Sequence, residues 1–123
     1  MTGNDLRELI YSKLTTVCSN VYYFLADEGA MYPHIVFNLS RQSKYDFARD
    51  DVTLDIDVFT KDEATAQTYA DTIEAMFNNL NDPQTDFLPT FFTERITQVA
   101  ESDKDIRHKT IEVVIQNYER SKN

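Results

Sequence analysis

The sequence has one cysteine, two glycines, three prolines and no tryptophan in 123 residues. The lone Cys18 excludes an internal disulfide and suits a protein that folds in a reducing cytoplasm. So few glycines and prolines exclude a linker-rich or disordered chain. Gly3 and Gly29 by themselves leave no glycine loop able to cradle a phosphate. No apolar run is long enough to span a membrane, so no membrane partner is expected. The opening Met1-Thr2-Gly3-Asn4-Asp5 lacks the basic and apolar regions of a secretion signal. Basic residues are also scarce: 12 Lys and Arg against 21 Asp and Glu give a formal net charge of -9. Such a surface repels phosphate backbones, and tight nucleic-acid binding is not expected. The basic sets Arg41, Lys44, Arg49 and Lys104, Arg107, Lys109 are interrupted by acids or sit at loop edges, and read as solvated hairpin charge.

What the chain does have is apolar residues, 41% of the total, with eight Phe and seven Tyr. That is enough for a core in a single domain over residues 1–123. Leu6, Leu9, Ile10, Leu14 and Val17 recur at helical spacing after Asn4, a good N-cap, and predict a first helix ending near Ser19-Asn20. Val21 to Leu25 reads as a strand, Asp27-Glu28-Gly29 as a turn, and His34 to Leu39 as a second strand. Pro33 restricts Tyr32 to extended backbone.

The strongest pattern runs from Asp51 to Leu80. Val52, Leu54, Ile56 and Val58 alternate with Thr53, Asp55 and Asp57, predicting a half-buried strand over Asp51 to Phe59. Thr60-Lys61-Asp62-Glu63 matches a capping box, so a helix is expected to start at Thr60. Its apolar positions are Tyr69, Ile73, Met76, Phe77 and Leu80, and Asn81-Asp82-Pro83 should stop it. Phe87-Leu88-Pro89 reads as an apolar tether. Phe91 to Ala100 is a strand of weaker pattern, and Ile106 to Tyr118 a long one with Ile111, Val113 and Ile115 on its core face. The tail from Arg120 is expected to fray.

The expected fold is therefore α+β, a mainly antiparallel sheet of about four to five strands with two helices on one face, in the order α-β-β-β-α-β-β. The polar segment Ser40 to Asp51, longer than a tight hairpin loop and carrying Tyr45 and Phe47 at alternate positions, is expected to be a protruding β-arm.

Reactive chemistry is hard to find. Asp55-Ile56-Asp57 places two carboxylates on one strand face, as in divalent-metal sites. The alternation accounts for both as the solvent side of a half-buried strand, and hard cations need more converging oxygens. His34 and His108 lie far apart in sequence with no zinc-ligand spacing. Cys18 follows the apolar face of the first helix and reads as a buried thiol. No serine sits in a nucleophile elbow. Tyr22-Tyr23-Phe24 has aromatics that stack bases elsewhere, but at this net charge it reads as a core and interface strand. The expectation is a protein that is not an enzyme and has no catalytic residue, metal site or cofactor.

The pattern resembles the phage tail terminator family, also called tail completion or tail-to-head joining proteins. The resemblance rests on the N-terminal helix, on Tyr32-Pro33-His34-Ile35-Val36-Phe37 and on the alternating Val52-Thr53-Leu54-Asp55-Ile56-Asp57-Val58-Phe59. It extends to the acid-started helix through Ala70, Ile73 and Leu80 and to the late strand Lys109 to Tyr118, and so covers most of the chain. It implies a virion component at the tail or head-tail junction, assembled in the bacterial cytoplasm. Such a protein forms a ring, commonly a hexamer, that caps the tail tube and meets tail-tube and head-connector proteins while DNA passes through. On that reading Tyr45 and Phe47, with Asp55 and Asp57, make subunit contacts or line the channel. The alternative is a small-molecule-binding or regulatory α+β domain, dimeric through a sheet edge.

Overall fold

The computed structural model describes residues 3–44 and 49–119, with side chains over 5–40 and 49–118. The expected arm anchors Tyr45 and Phe47, and the tail from Arg120, lie outside the described residues. In chain order the elements are α1 (Gly3–Leu14), β1 (Val21–Tyr23), β2 (His34–Lys44), β3 (Arg49–Thr60), α2 (Glu63–Phe77), β4 (Leu80–Asn81), β5 (Phe87–Val99) and β6 (Arg107–Glu119).

The six strands form one sheet in the order β1-β2-β3-β6-β5-β4. This exceeds the four to five strands expected, because Leu80–Asn81 adds a short edge strand that pairs with Phe91 and Thr90. Nor is the sheet wholly antiparallel. β1 runs parallel to β2, Val21 opposite Ile35, after a connection that turns at Phe24 (φ 73) and Gly29 (φ 79). The Tyr32–Pro33 peptide that leads into β2 is cis.

Both helices pack on one face. Leu6, Ile10 and Leu14 from α1 and Ala66, Ala70, Ile73 and Phe77 from α2 are buried there. They meet Ile35 and Phe37, then Leu54, Ile56 and Val58, then Ile111, Val113 and Ile115 from the three central strands. Phe77 and Phe91 touch with ring centroids 5.2 Å apart. Ala66 and Ala70 are fully buried small residues that let α2 lie close to the sheet. An apolar count based on large residues passes over them. Burying each of the larger apolar side chains contributes about 1.5–3 kcal/mol before entropy is counted.

Several boundaries differ from the sequence expectation for identifiable reasons. α1 begins at Gly3, so Asn4 is inside the helix and is not its cap. The helix ends at Leu14, and turn bonds from Thr15 to Cys18 carry the chain onward. Thr60 does not cap α2. It is still in the sheet opposite Arg107, and its hydroxyl donates to the Asp62 carbonyl at 2.6 Å. Asp62 is the cap: its extended backbone leaves Oδ1 to accept from the Thr65 amide at 2.9 Å. The Thr65 hydroxyl donates to the other oxygen, and the two bonds hold the Asp62 carboxyl below its usual range. α2 then stops at Phe77, because Asn78 is extended and Asn79 is left-handed (φ 56), a conformation asparagine tolerates. Leu80 therefore belongs to β4 and not to the helix face. Phe87-Leu88-Pro89 is the start of β5, with Phe87, Pro89 and Phe91 turned to the core. The weak pattern of β5 has a cause: a bulge between Thr93 and Arg95 moves the inward positions from odd to even numbers.

Candidate functional site

With both helices on one side, the other face of the sheet is open. Register decides what gathers there. On β3 the outward residues are Asp51, Thr53, Asp55, Asp57 and Phe59, and on β6 they are His108, Thr110, Glu112, Val114 and Gln116.

The first row across this face is aromatic. Phe59 stands between the two histidines that are far apart in sequence. It stacks on His34 at 5.0 Å and on His108 at 4.2 Å, with interplanar angles of 22° and 25°. Tyr22 and Tyr32 flank His34, and the Lys61 ammonium lies 4.6 Å from the Tyr32 ring centroid. The two imidazoles differ in character. His34 is buried, which lowers its pKa, and its Nδ1 contact to the Met31 carbonyl at 3.3 Å only partly offsets this. Burial also pulls His108 down, but two carboxylates outweigh it and leave its pKa raised. Nε2 lies 2.7 Å from Asp57 Oδ1. Nδ1 lies 2.8 Å from Glu101 Oε1, an ion-pair distance outside hydrogen-bond alignment.

The second row holds Asp57. Its Oδ1 accepts from the Thr110 hydroxyl at 2.6 Å as well as from His108. Burial raises the Asp57 pKa, yet these donors and the imidazolium charge overcome it and hold the carboxyl below its usual range. Asp57 is therefore not simply the solvated side of a strand. In the third row Asp55 sits directly opposite Glu112, an unfavourable like-charge pair, and Glu112 meets the exposed Arg95 at 3.3 Å. Burial, then Glu112 and Asp57, raise the Asp55 pKa against Arg95. At the far end Arg49 grips Asp51 with two bonds of 3.0 and 3.2 Å.

Asp55 and Asp57 thus share a face but have separate partners, and Asp57 is committed to His108 and Thr110. Among the described residues no group of three or more His, Cys, Asp or Glu is placed to hold a metal ion. The basic set Lys104, Arg107, Lys109 is split: Lys109 is buried on the helix side, contacting Glu63 at 3.1 Å and Gln98 at 2.5 Å. Cys18 is buried. Among the described residues no helix is long and apolar enough to cross a membrane.

No family model matches the chain, and no curated protein matches it closely. Its fold does match solved structures. A chain from the virion of a native gene transfer agent particle superposes with a TM-score of 0.62 at 15% identity, covering 87% of this chain and 84% of that one. A second solved chain matches with a TM-score of 0.54 at 13% identity, over 95% and 97% of the two lengths. At these identities the likeness is one of fold, over nearly the whole length of each chain.

Sequence reasoning missed the cluster of Phe59, His108, Thr110, Glu101 and His34. The alternation His108, Thr110, Glu112 is visible in the sequence. What it lacks is the register Phe59 opposite His108, which brings that series beside Asp55 and Asp57. A second exposed feature lies at the β1 edge. Phe24, Leu25 and Met31 of the β1–β2 connection are 60%, 74% and 73% exposed, and a separate groove between α1 and β1 is lined in part by Tyr11, Tyr23 and Arg7.

Proposed function

We propose that this chain is a structural component of a phage-type particle, and that it acts as a tail terminator. It forms a ring that caps the tail tube and presents a surface to the head connector. The observation that carries this reading is the fold shared with a chain of a gene transfer agent virion over 87% of the length. The sequence resemblance to tail terminators supports the finer role. The work of such a protein is assembly, and it catalyses no reaction. Both nitrogens of His108 face carboxylates and Asp57 also accepts from Thr110, pairings that support a structural reading of these residues.

The open face of the sheet has the character such a role needs. Asp55 opposite Glu112 concentrates acid on this face, which the exposed Arg95 partly offsets. An acidic lumen lets a phosphate backbone slide without binding. The β2–β3 hairpin, paired as far as Lys44 and Asp50, leads into Tyr45 and Phe47, the proposed anchors of the ring contact. Replacing both by Ser and measuring mass by light scattering tests this. A fall in mass with the melting temperature unchanged is expected. Unchanged mass at unchanged stability means that the two rings do not make the contact.

A further inference from the structure

His108 is a half-buried imidazole with a carboxylate beside each ring nitrogen, and the proposed function makes no use of it. Every element packed around it contributes a named neighbour. β3 supplies Asp57 at 2.7 Å and the stacked Phe59, the β5–β6 connection supplies Glu101 at 2.8 Å, and β6 supplies Thr110, 3.4 Å from Nε2. His34 of β2 lies beyond Phe59, and Val99 of β5 is the cross-strand neighbour. Three cations of the neighbouring segments are engaged elsewhere. Arg107 is directed at Glu63 and at the Lys104 and Ile106 carbonyls, Lys109 faces the helix side, and Lys61 covers Tyr32.

A neutral imidazole has one N–H and one lone pair. It can donate to one of these two carboxylates, and must then turn a lone pair toward the other. Only the doubly protonated ring suits both. We infer that His108 is a proton-operated latch: charged, it ties the β5–β6 connection to the open sheet face through Glu101, and neutral, it lets that connection go. Glu101 is the partner that leaves, because Asp57 sits within a central strand and keeps its bond from Thr110. The far half of the connection stays in place. The Ile106 amide donates to the Asp103 carbonyl, the Asp105 amide to the Asp103 side chain, and Arg107 to the Lys104 carbonyl. Release therefore affects residues 100–102 and widens the surface recess that Glu101 shares with Gln98, Lys104 and Arg107.

The test is NMR on the full chain, following the His108 ring and the backbone amides of residues 100–102 through a pH titration. The ring is expected to titrate with a midpoint above 6.5, the ordinary histidine value. The three amides should shift with the same midpoint, and their heteronuclear NOE should fall on the alkaline side. In Glu101→Gln, a substitution at a half-exposed connection residue, the ring midpoint should drop. The amides of 100–102 should then stay mobile at both ends of the range. Amides that ignore the ring titration overturn the latch, as does an unchanged midpoint in Glu101→Gln.

Discussion

Replacing Asp57 by Asn removes one charge and keeps an oxygen acceptor, so it isolates what the charge contributes. Asp57 Oδ1 receives His108 Nε2 at 2.7 Å and Thr110 Oγ1 at 2.6 Å. A hydrogen bond to a charged group contributes about 1.5–3 kcal/mol net, and a neutral one about 0.5–1.5 kcal/mol. The like ends of these ranges differ by about 1–1.5 kcal/mol per bond, so two bonds give roughly 2–3 kcal/mol. Two effects reduce it: the Asp57 side chain is 29% exposed, and its loss relieves the repulsion felt by Asp55. A destabilisation of about 1–2 kcal/mol is expected near pH 5.5.

The pH dependence is the sharper part of this prediction. His108 has a raised pKa, so its contribution is fully present below pH 6.5 and is lost as pH rises through the folded value. Asp57 has a lowered pKa, so its contribution is present above pH 3.8 and is lost as pH falls through its folded value. The difference between wild type and Asp57→Asn should therefore peak between these limits and shrink on both sides. Urea unfolding of both proteins at about pH 3, 5.5 and 9 measures it by linear extrapolation. A difference that stays flat across the three conditions refutes the pairing, as does an Asn variant more stable than wild type near pH 5.5.

Two further substitutions probe the scaffold behind this face. Phe77→Ala removes a fully buried ring that touches Phe91 and should cost about 3–5 kcal/mol in chemical unfolding; a loss near 1 kcal/mol would mean that the site collapses without leaving a cavity. Asp62→Ala should lower the melting temperature and speed amide exchange at Thr65, whereas Thr60→Val, which removes the hydroxyl, should leave Thr65 protected; fast exchange at Thr65 in Thr60→Val with none in Asp62→Ala would return the cap to Thr60.

The layer architecture is legible in the sequence because burial has a period. Val52 to Val58 alternate for a half-buried strand, and Ile73 and Phe77 share a helix face, so both elements are present although the helix is shorter at each end than expected. Features set by non-local pairing are not legible. Whether Thr60 or Asp62 caps α2 depends on how far β3 remains paired to β6, and local sequence carries both options. The bulge at Thr93 to Arg95 shifts the inward positions of β5 and blurs its alternation along the second half. β1 and β4 have three and two residues and owe their existence to the strands beside them. For the candidate site, Asp55 and Asp57 are placed on the outward face by alternation alone. Their partners Glu112, Thr110 and His108 come from a strand more than fifty residues later, through a register that no local pattern encodes.

The proposed ring on the tail tube is tested by electron microscopy of the purified protein, alone and mixed with isolated tail tubes. Closed rings are expected, either free in solution or seated on one end of each tube. Monomeric particles in the free sample, together with tubes whose ends stay bare, would contradict it.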